Sequence, residues 1–332
     1  MSALADDPTA KPSWAPSALA SILDRVAVTH SAVGDRFPLF ADPESGTWTT
    51  TGRGSWTGGF WAGLLWLRAR YTGDPADREA ARACTARLAG WAEADTATRG
   101  LIFWYGTALA EDDLGLRERA ARACLTSFDP ALGLVPWGAA FGGPRLLARA
   151  DGVPGLVPLL ATVDTAAAAS HLHRHLDLCL AQRPRHWSWQ HAPRTGWTAD
   201  GEPPPGWSRG PAWLLLAMAE AVRHLGAAEL AGAADELTPD DLVPLADTAH
   251  PDGPRDTSAA AITAAALLDL GRRGRAGAIL EELVRSHLTD DGRLVDGCYD
   301  LTSGTAVRHE LVWGDFFLAY ALAVITGLVE AV

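Results

Sequence analysis

The sequence predicts an all-α chain of helix hairpins packed round a common axis, on three observations. Ala/Leu-rich stretches of helical length alternate with short Gly/Pro/Asp-rich breaks, strand-like alternation is nearly absent, and no linker-like tract divides the 332 residues. With 48% hydrophobic residues, the chain can bury a sizeable core as one domain over residues 1–332, with residues 1–15 a flexible or peripheral N-terminal segment.

The helix-like runs cover 16–30, 56–72, 75–94, 101–111, 116–128, 153–182, 209–225, 256–271, 273–287 and 309–329. Between them, 31–55, 129–152, 183–208, 238–255 and 289–308 hold most of the Gly, Pro and Asp and many tryptophans. Because no strict repeat recurs, a regular solenoid is disfavoured. An (α/α) toroid of helix pairs fits better and gathers its longer loops at one end, where they build a cleft.

Composition narrows the partners. A formal net charge of −12 excludes nucleic acid and long polyanions, although a small anion can still be held by one or two arginines. Acids stand near the N-terminus where a signal peptide needs basic residues, and no 18-residue apolar run follows, so a cytoplasmic protein with no membrane partner is expected. Cys84, Cys124, Cys179 and Cys298 form no C-x-x-C pair and read as reduced, buried thiols. Neither a zinc framework nor a phosphate-cradling glycine loop is present, so no cofactor is expected. Fourteen tryptophans against eight phenylalanines suit either a large core or a surface that stacks on sugar rings.

Residues 206–213, GWSRGPAW, satisfy the G-x-S-x-G signature of a serine-hydrolase elbow. That elbow needs a buried strand in front of it, whereas DGEPPP precedes Gly206 and its prolines cannot join a central sheet. The stretch reads instead as a helix start, with Ser208 at the N-cap and Pro211 in the first turn. In HLHRH, His171 and His175 share a helix face at metal-ligand spacing, but no third ligand has a recognisable spacing.

WSRGPAW resembles the W-S-R-G-Q-A-W segment of the unsaturated glucuronyl hydrolases, glycoside hydrolase family 88; the rhamnogalacturonyl hydrolases of family 105 are more distant. Further blocks resemble that family in its order: SWTGGFWAGLLWLRARYTGD (55–74), FDPALGLVPW (128–137), RADGVPGLVPLL (149–160), WSWQHA (187–192), DTSAAAITAAALLDLG (256–271) and ELVWGDFFLAYAL (310–322). The resemblance implies an (α/α)6 toroid acting on short sugars that end in a 4,5-unsaturated uronic acid. Their vinyl ether is protonated at C4, water adds at C5, and the hemiketal opens to release the aglycone. One carboxyl group can make both proton transfers, provided it starts protonated, a state that poorly solvated aromatic walls favour.

By the same resemblance, Asp151 matches the proton-transferring aspartate and His191 an active-site histidine. Trp56, Trp137, Trp207 and Trp213 match aromatic cleft positions, and Arg209 a polar contact suited to a carboxylate. Core packing is the alternative for each tryptophan. The family's usual His-Asp pair is replaced by Ala97 and Thr98, and a threonine can hydrogen-bond a sugar hydroxyl but cannot transfer a proton at neutral pH. Asp112 and Asp113, nearby, read as a solvated helix break. Two alternatives therefore stay open: a diverged biosynthetic enzyme with another reaction on another sugar or small molecule, and a non-catalytic sugar-binding protein.

Overall fold

The computed structural model describes residues 11–112 and 115–332. Residues 1–10, which include most of the expected peripheral segment, lie outside them, as does Asp113. Lys11 is already tied down, its Nζ donating to the Thr326 carbonyl at 2.5 Å.

The helices follow one another as α1 (Ala15–Val33), α2 (Gly58–Thr72), α3 (Pro75–Ala86), α4 (Tyr105–Thr107), α5 (Leu116–Ser127) and α6 (Leu156–Ala161). They continue as α7 (Thr165–Leu180), α8 (Arg209–His224), α9 (Leu230–Ala233), α10 (Thr257–Asp269), α11 (Arg273–Ser286) and α12 (Val312–Thr326). The even-numbered helices form an inner ring: α2 packs on α4, a π-helical turn before α4 packs on α6, and α6, α8, α10 and α12 continue round to α2. The odd-numbered helices lie outside, and the whole is an (α/α)6 toroid. Residue pattern separates the two layers. In α10, Thr257 to Leu268 are buried without a break, as an element enclosed on all sides requires. In α11 only Ala276, Ile279, Leu280 and Leu283 are buried, the single stripe of a helix with one wet face.

Inner helices approach closely where glycine allows it. A Cβ on Gly59 of α2 would lie 2.3 Å from the Ile102 carbonyl oxygen, and one on Gly100 would lie 2.2 Å from the Leu156 amide nitrogen. The ring's centre is filled by aromatic side chains from α2, α4, α8 and α12. Ring centroids are 5.4 Å apart for Phe60 and Tyr105, 5.4 Å for Phe60 and Phe317, and 5.8 Å for Trp213 and Phe317.

Several elements differ from the expected ones. The run expected at 153–182 is two helices, because Asp164 caps α7 by accepting from the Ala167 amide at 2.9 Å. The run at 101–111 begins as a π-helix over Gly100–Trp104 and ends after α4. Two three-stranded antiparallel sheets also form, ordered β2-β1-β6 (Trp48–Thr51, Phe37–Ala41, Glu310–Leu311) and β3-β4-β5 (Leu147–Arg149, Ser188–Ala192, Gly196–Ala199). The strands are short and paired partly across long sequence separations, as in Leu147 with Gln190, so apolar alternation had little room to mark them. Among the described residues no helix is long and apolar enough to cross a membrane.

Candidate active site

The segments that precede the inner helices converge on a cavity of about 620 Å³. Each supplies a wall residue: Trp56 ahead of α2, Thr98 ahead of the π-helical turn, Asp151 ahead of α6, Trp207 ahead of α8, Asp247 ahead of α10 and Tyr299 ahead of α12. Trp137, Arg209 and Trp213 complete the set expected from sequence, with one exception.

The exception is His191. In the β3-β4 pairing, Arg149 stands opposite Ser188 and Leu147 opposite Gln190, and Arg149 and Leu147 line the cavity. Side chains alternate along a strand, so His191 projects from the other face. There its ring meets Trp197 edge-on at 5.1 Å, and its buried Nδ1 has no hydrogen-bond partner. The expected histidine contact is therefore not among the cavity residues.

Asp151 sits in a 3-10 turn, Ala150–Gly152, directly after β3. Its carboxylate is gripped by Arg149, which donates from Nε to Oδ1 at 3.0 Å and from Nη2 to Oδ2 at 3.2 Å. The guanidinium lies 4.7 Å above the ring of Trp137. Burial opposes the charge on Arg149, but Asp151 and, farther off, Asp200 and Glu202 outweigh it and hold the group more strongly protonated than usual. The aspartate is thus met by a cation as well as by aromatic walls.

The turn is held from behind by His171. Its Nδ1 accepts from the Val135 amide at 3.1 Å, which leaves the proton on Nε2 to donate to the Gly152 carbonyl at 3.3 Å. Burial, and then His175, push His171 well below the ordinary histidine range; burial takes His175 down to about 4. These histidines join the loops of Trp137 and Asp151, and no cluster of three or more metal-ligating side chains exists among the described residues.

Arg209 is buried and largely committed to the protein. Nη1 donates to Asp256 and to the Cys298 carbonyl, and Nη2 donates to the Tyr299 carbonyl at 2.6 Å. The guanidinium lies 5.2 Å from the ring of Trp207. It fixes the wall that carries Tyr299, which runs nearly parallel to Trp56 at 6.3 Å. Cys298 lines the cavity, but burial pushes its thiol up to about 12, so it is no thiolate nucleophile near neutral pH.

Ser208 does occupy the N-cap of α8, yet its hydroxyl makes no capping bond and is buried without a partner. No strand leads directly into it, only a single bridge between Trp207 and Asp247, so the elbow geometry is absent. Thr98 is buried at the cavity wall, sharing a hydrogen bond with the Thr96 hydroxyl at 2.9 Å. Asp112 lies elsewhere, paired with Arg82 at 3.1 Å.

No family model matches the chain. An unsaturated glucuronyl hydrolase from Bacillus sp. (strain GL1) is 26% identical over 87% of this chain and 90% of its own length. The solved structure from Bacillus sp. GL1, described as responsible for the degradation of glycosaminoglycan, superposes with a TM-score of 0.80 at 23% identity, covering 93% of this chain and 96% of that one. An unsaturated glucuronyl hydrolase specific for heparin gives 0.83 at 20% identity, covering 95% and 98%. The chain resembles the unsaturated glucuronyl hydrolases. A possible family 105 member from Klebsiella pneumoniae subsp. pneumoniae is more distant, at a TM-score of 0.64 and 15% identity over 99% of this chain and 98% of its own.

Relative to the unsaturated glucuronyl hydrolase pattern, the cavity holds residues that the motifs did not single out. Arg149 was visible in the sequence as a cation two places before Asp151. Tyr299 and Asp247 carried no comparable signal, because each reaches the cavity through a loop of irregular backbone.

Proposed function

We propose that this protein hydrolyses short sugars ending in a 4,5-unsaturated uronic acid, with Asp151 as the group that moves the proton. The observation that carries the reading is Asp151 lining one cavity with Trp56, Trp137, Trp207 and Trp213. The relatives' own activity supports the substrate class. Indole faces suit the C–H face of a sugar ring, and the carboxyl group is within the same enclosed volume.

In the proposed reaction the protonated Asp151 carboxyl delivers its proton to C4 of the vinyl ether. The cation formed at C5 is stabilised by the ring oxygen. The Asp151 carboxylate then removes a proton from water as that water bonds to C5, which restores the carboxyl group. The resulting hemiketal opens as the bond between C5 and the ring oxygen breaks and the C5 hydroxyl proton passes to that oxygen. The hemiacetal so formed at C1 then collapses to an aldehyde as its bond to the aglycone oxygen breaks, and the aglycone leaves with a hydroxyl group. Protons and electrons balance with water as the sole co-reactant.

The test follows the enol-ether absorbance of a panel of unsaturated uronyl disaccharides. Loss of absorbance with the native protein, abolished in Asp151→Asn at unchanged helix content, is the expected result. Turnover that survives in Asp151→Asn refutes the role of this residue.

A second reading, a diverged enzyme with another reaction on the same toroid, is favoured by Thr98. A hydroxyl already bonded to Thr96 stands where a second carboxylate is usual, so only one of two acid-base groups remains. That reading predicts binding of a sugar-like ligand in the cavity with no loss of the enol ether across the panel.

A further inference from the structure

Two guanidinium groups line the cavity and they are not equivalent. Arg209 has both Nη1 hydrogens and one Nη2 hydrogen engaged by Asp256, Cys298 and Tyr299, all belonging to the protein wall. Releasing it would strip a buried carboxylate of its counter-charge, which is costly. Arg149 has a single hydrogen-bonding partner among the described residues, the Asp151 carboxylate, and both side chains keep roughly a fifth of their surface exposed, 22% and 19%. Its fork is held in plane by Trp137 beneath it.

We propose that Arg149 reads the carboxylate of the substrate, which takes the place of Asp151 on the guanidinium fork and frees Asp151 for proton transfer. The inference rests on the hydrolase reading for the identity of the substrate. Three features carry it. A guanidinium binds two carboxylate oxygens side by side, so an arriving carboxylate matches the geometry that Asp151 now fills. The exchange keeps the guanidinium paired, and the Asp151 carboxylate, left without its counter-charge, takes up a proton from water, which gives the carboxyl group the proposed reaction starts from. While both Asp151 oxygens accept from Arg149, the group is held as a carboxylate with no proton to give, so proton delivery requires that the grip be released.

The consequence is a coupling of recognition to chemistry. A neutral analogue of the sugar, with an amide in place of the carboxylate, enters the aromatic cavity but does not detach Asp151. Arg149 therefore acts as a specificity residue by touching the substrate and as a positioning residue through Asp151.

Titration calorimetry tests this with an unsaturated uronyl disaccharide and its uronamide, on the native protein, Arg149→Gln and Arg149→Lys. The native protein should prefer the carboxylate by about tenfold or more, the worth of a charge-assisted bidentate pair. Arg149→Gln should bind both alike, and Arg149→Lys should recover only part of the preference, because an ammonium lacks the fork. The native comparison needs no variant, so a misfolded substitution does not remove the test. No carboxylate preference in the native protein, or an undiminished one in Arg149→Gln, overturns the inference. Absorbance assays on the same samples separate the two ideas. Preference that depends on Arg149 without turnover would sink the hydrolase reading and keep the Arg149 assignment, whereas turnover with no such preference would do the reverse.

Discussion

Glu220 of α8 accepts the amide hydrogen of Gly155 on both carboxylate oxygens, at 3.1 and 2.9 Å. Gly155 stands at the head of α6, four residues after Asp151, in a left-handed conformation (φ +69°) where a Cβ would lie 2.5 Å from the Gly100 carbonyl oxygen. The buried carboxylate also accepts from the Tyr105 hydroxyl. It therefore anchors the chain on the far side of the candidate acid.

Removing that anchor should be expensive. Glu220→Ala strands a buried amide and a buried phenol, and a loss of about 2–4 kcal/mol is expected in urea unfolding. Burial raises the Glu220 carboxyl to about 8, against the hydrogen bonds from Tyr105 and Gly155, and raises Asp269 to about 7. The folded state then binds more protons than the unfolded one. The stability these two groups contribute is fully present below the ordinary carboxyl range and is lost as pH rises through about 7 and 8. Unfolding measured at intervals from pH 5 to 9 should show this decline, with a smaller slope in Glu220→Gln; an identical slope removes Glu220 as its source.

His171 gives the opposite sign. A buried histidine held below its ordinary value contributes stability that is present above about pH 6.5 and lost as pH falls through the folded value. His171→Ala leaves the Val135 amide and Gly152 carbonyl without their partner, and about 2–3 kcal/mol of stability should go. The acid limb of the stability profile should be shallower in the variant. Retention of the native acid limb would mean that other groups set it.

Asp256 caps α10 through the Ser258 amide at 3.0 Å, accepts from the Cys298 amide at 3.3 Å and neutralises Arg209. Asp256→Ala leaves a buried guanidinium uncompensated, so about 3–5 kcal/mol should be lost. Asp256→Asn keeps the cap but not the charge and should fall between the two. Equal stability of Asp256→Ala and the native chain would show that the ion pair is not a structural tie.

Ala97 and Thr98, which the sequence resemblance sets opposite the His-Asp pair of the unsaturated glucuronyl hydrolases, should respond differently to reversal. A Cβ added at Gly152 would lie 3.1 Å from the Ala97 Cβ, so Ala97 abuts the Asp151 turn. Ala97→His should displace that turn and lower the melting temperature, whereas Thr98→Asp adds a carboxylate at the cavity wall. Turnover of unsaturated uronides should rise on the order of tenfold in Thr98→Asp, a modest share of what a general acid or base contributes. A fall in turnover, with the variant folded, would mean that the threonine serves the present substrate better.

The helical ring was legible because its inner members are long, apolar and rich in alanine and leucine, a pattern that survives without tertiary information. Most cavity positions were legible for another reason: they fall within blocks that resemble those of the unsaturated glucuronyl hydrolases, such as WSRGPAW. His191 shows where that stops. Its block placed it near the site, but which way it faces is set by the register of β4 against β3, a pairing across about forty residues. Arg209 was matched to a substrate contact by resemblance, and only the surrounding acceptors reveal how many of its donors are taken. The π-helical turn at Gly100–Trp104 likewise depends on packing against α6, which local propensity does not encode.

The aromatic side chains that fill the middle of the ring also limit how a ligand can come and go. Trp213 is both a wall of the cavity and a member of that filling, so the cavity ends where Phe60 and Phe317 begin. A pocket closed at its floor offers no passage through the ring. On the proposed hydrolase reading, an oligosaccharide would enter end first, and both pieces of a cleaved chain would back out by the way it came. Degradation would then proceed from the terminus one visit at a time, with no sliding along a polymer.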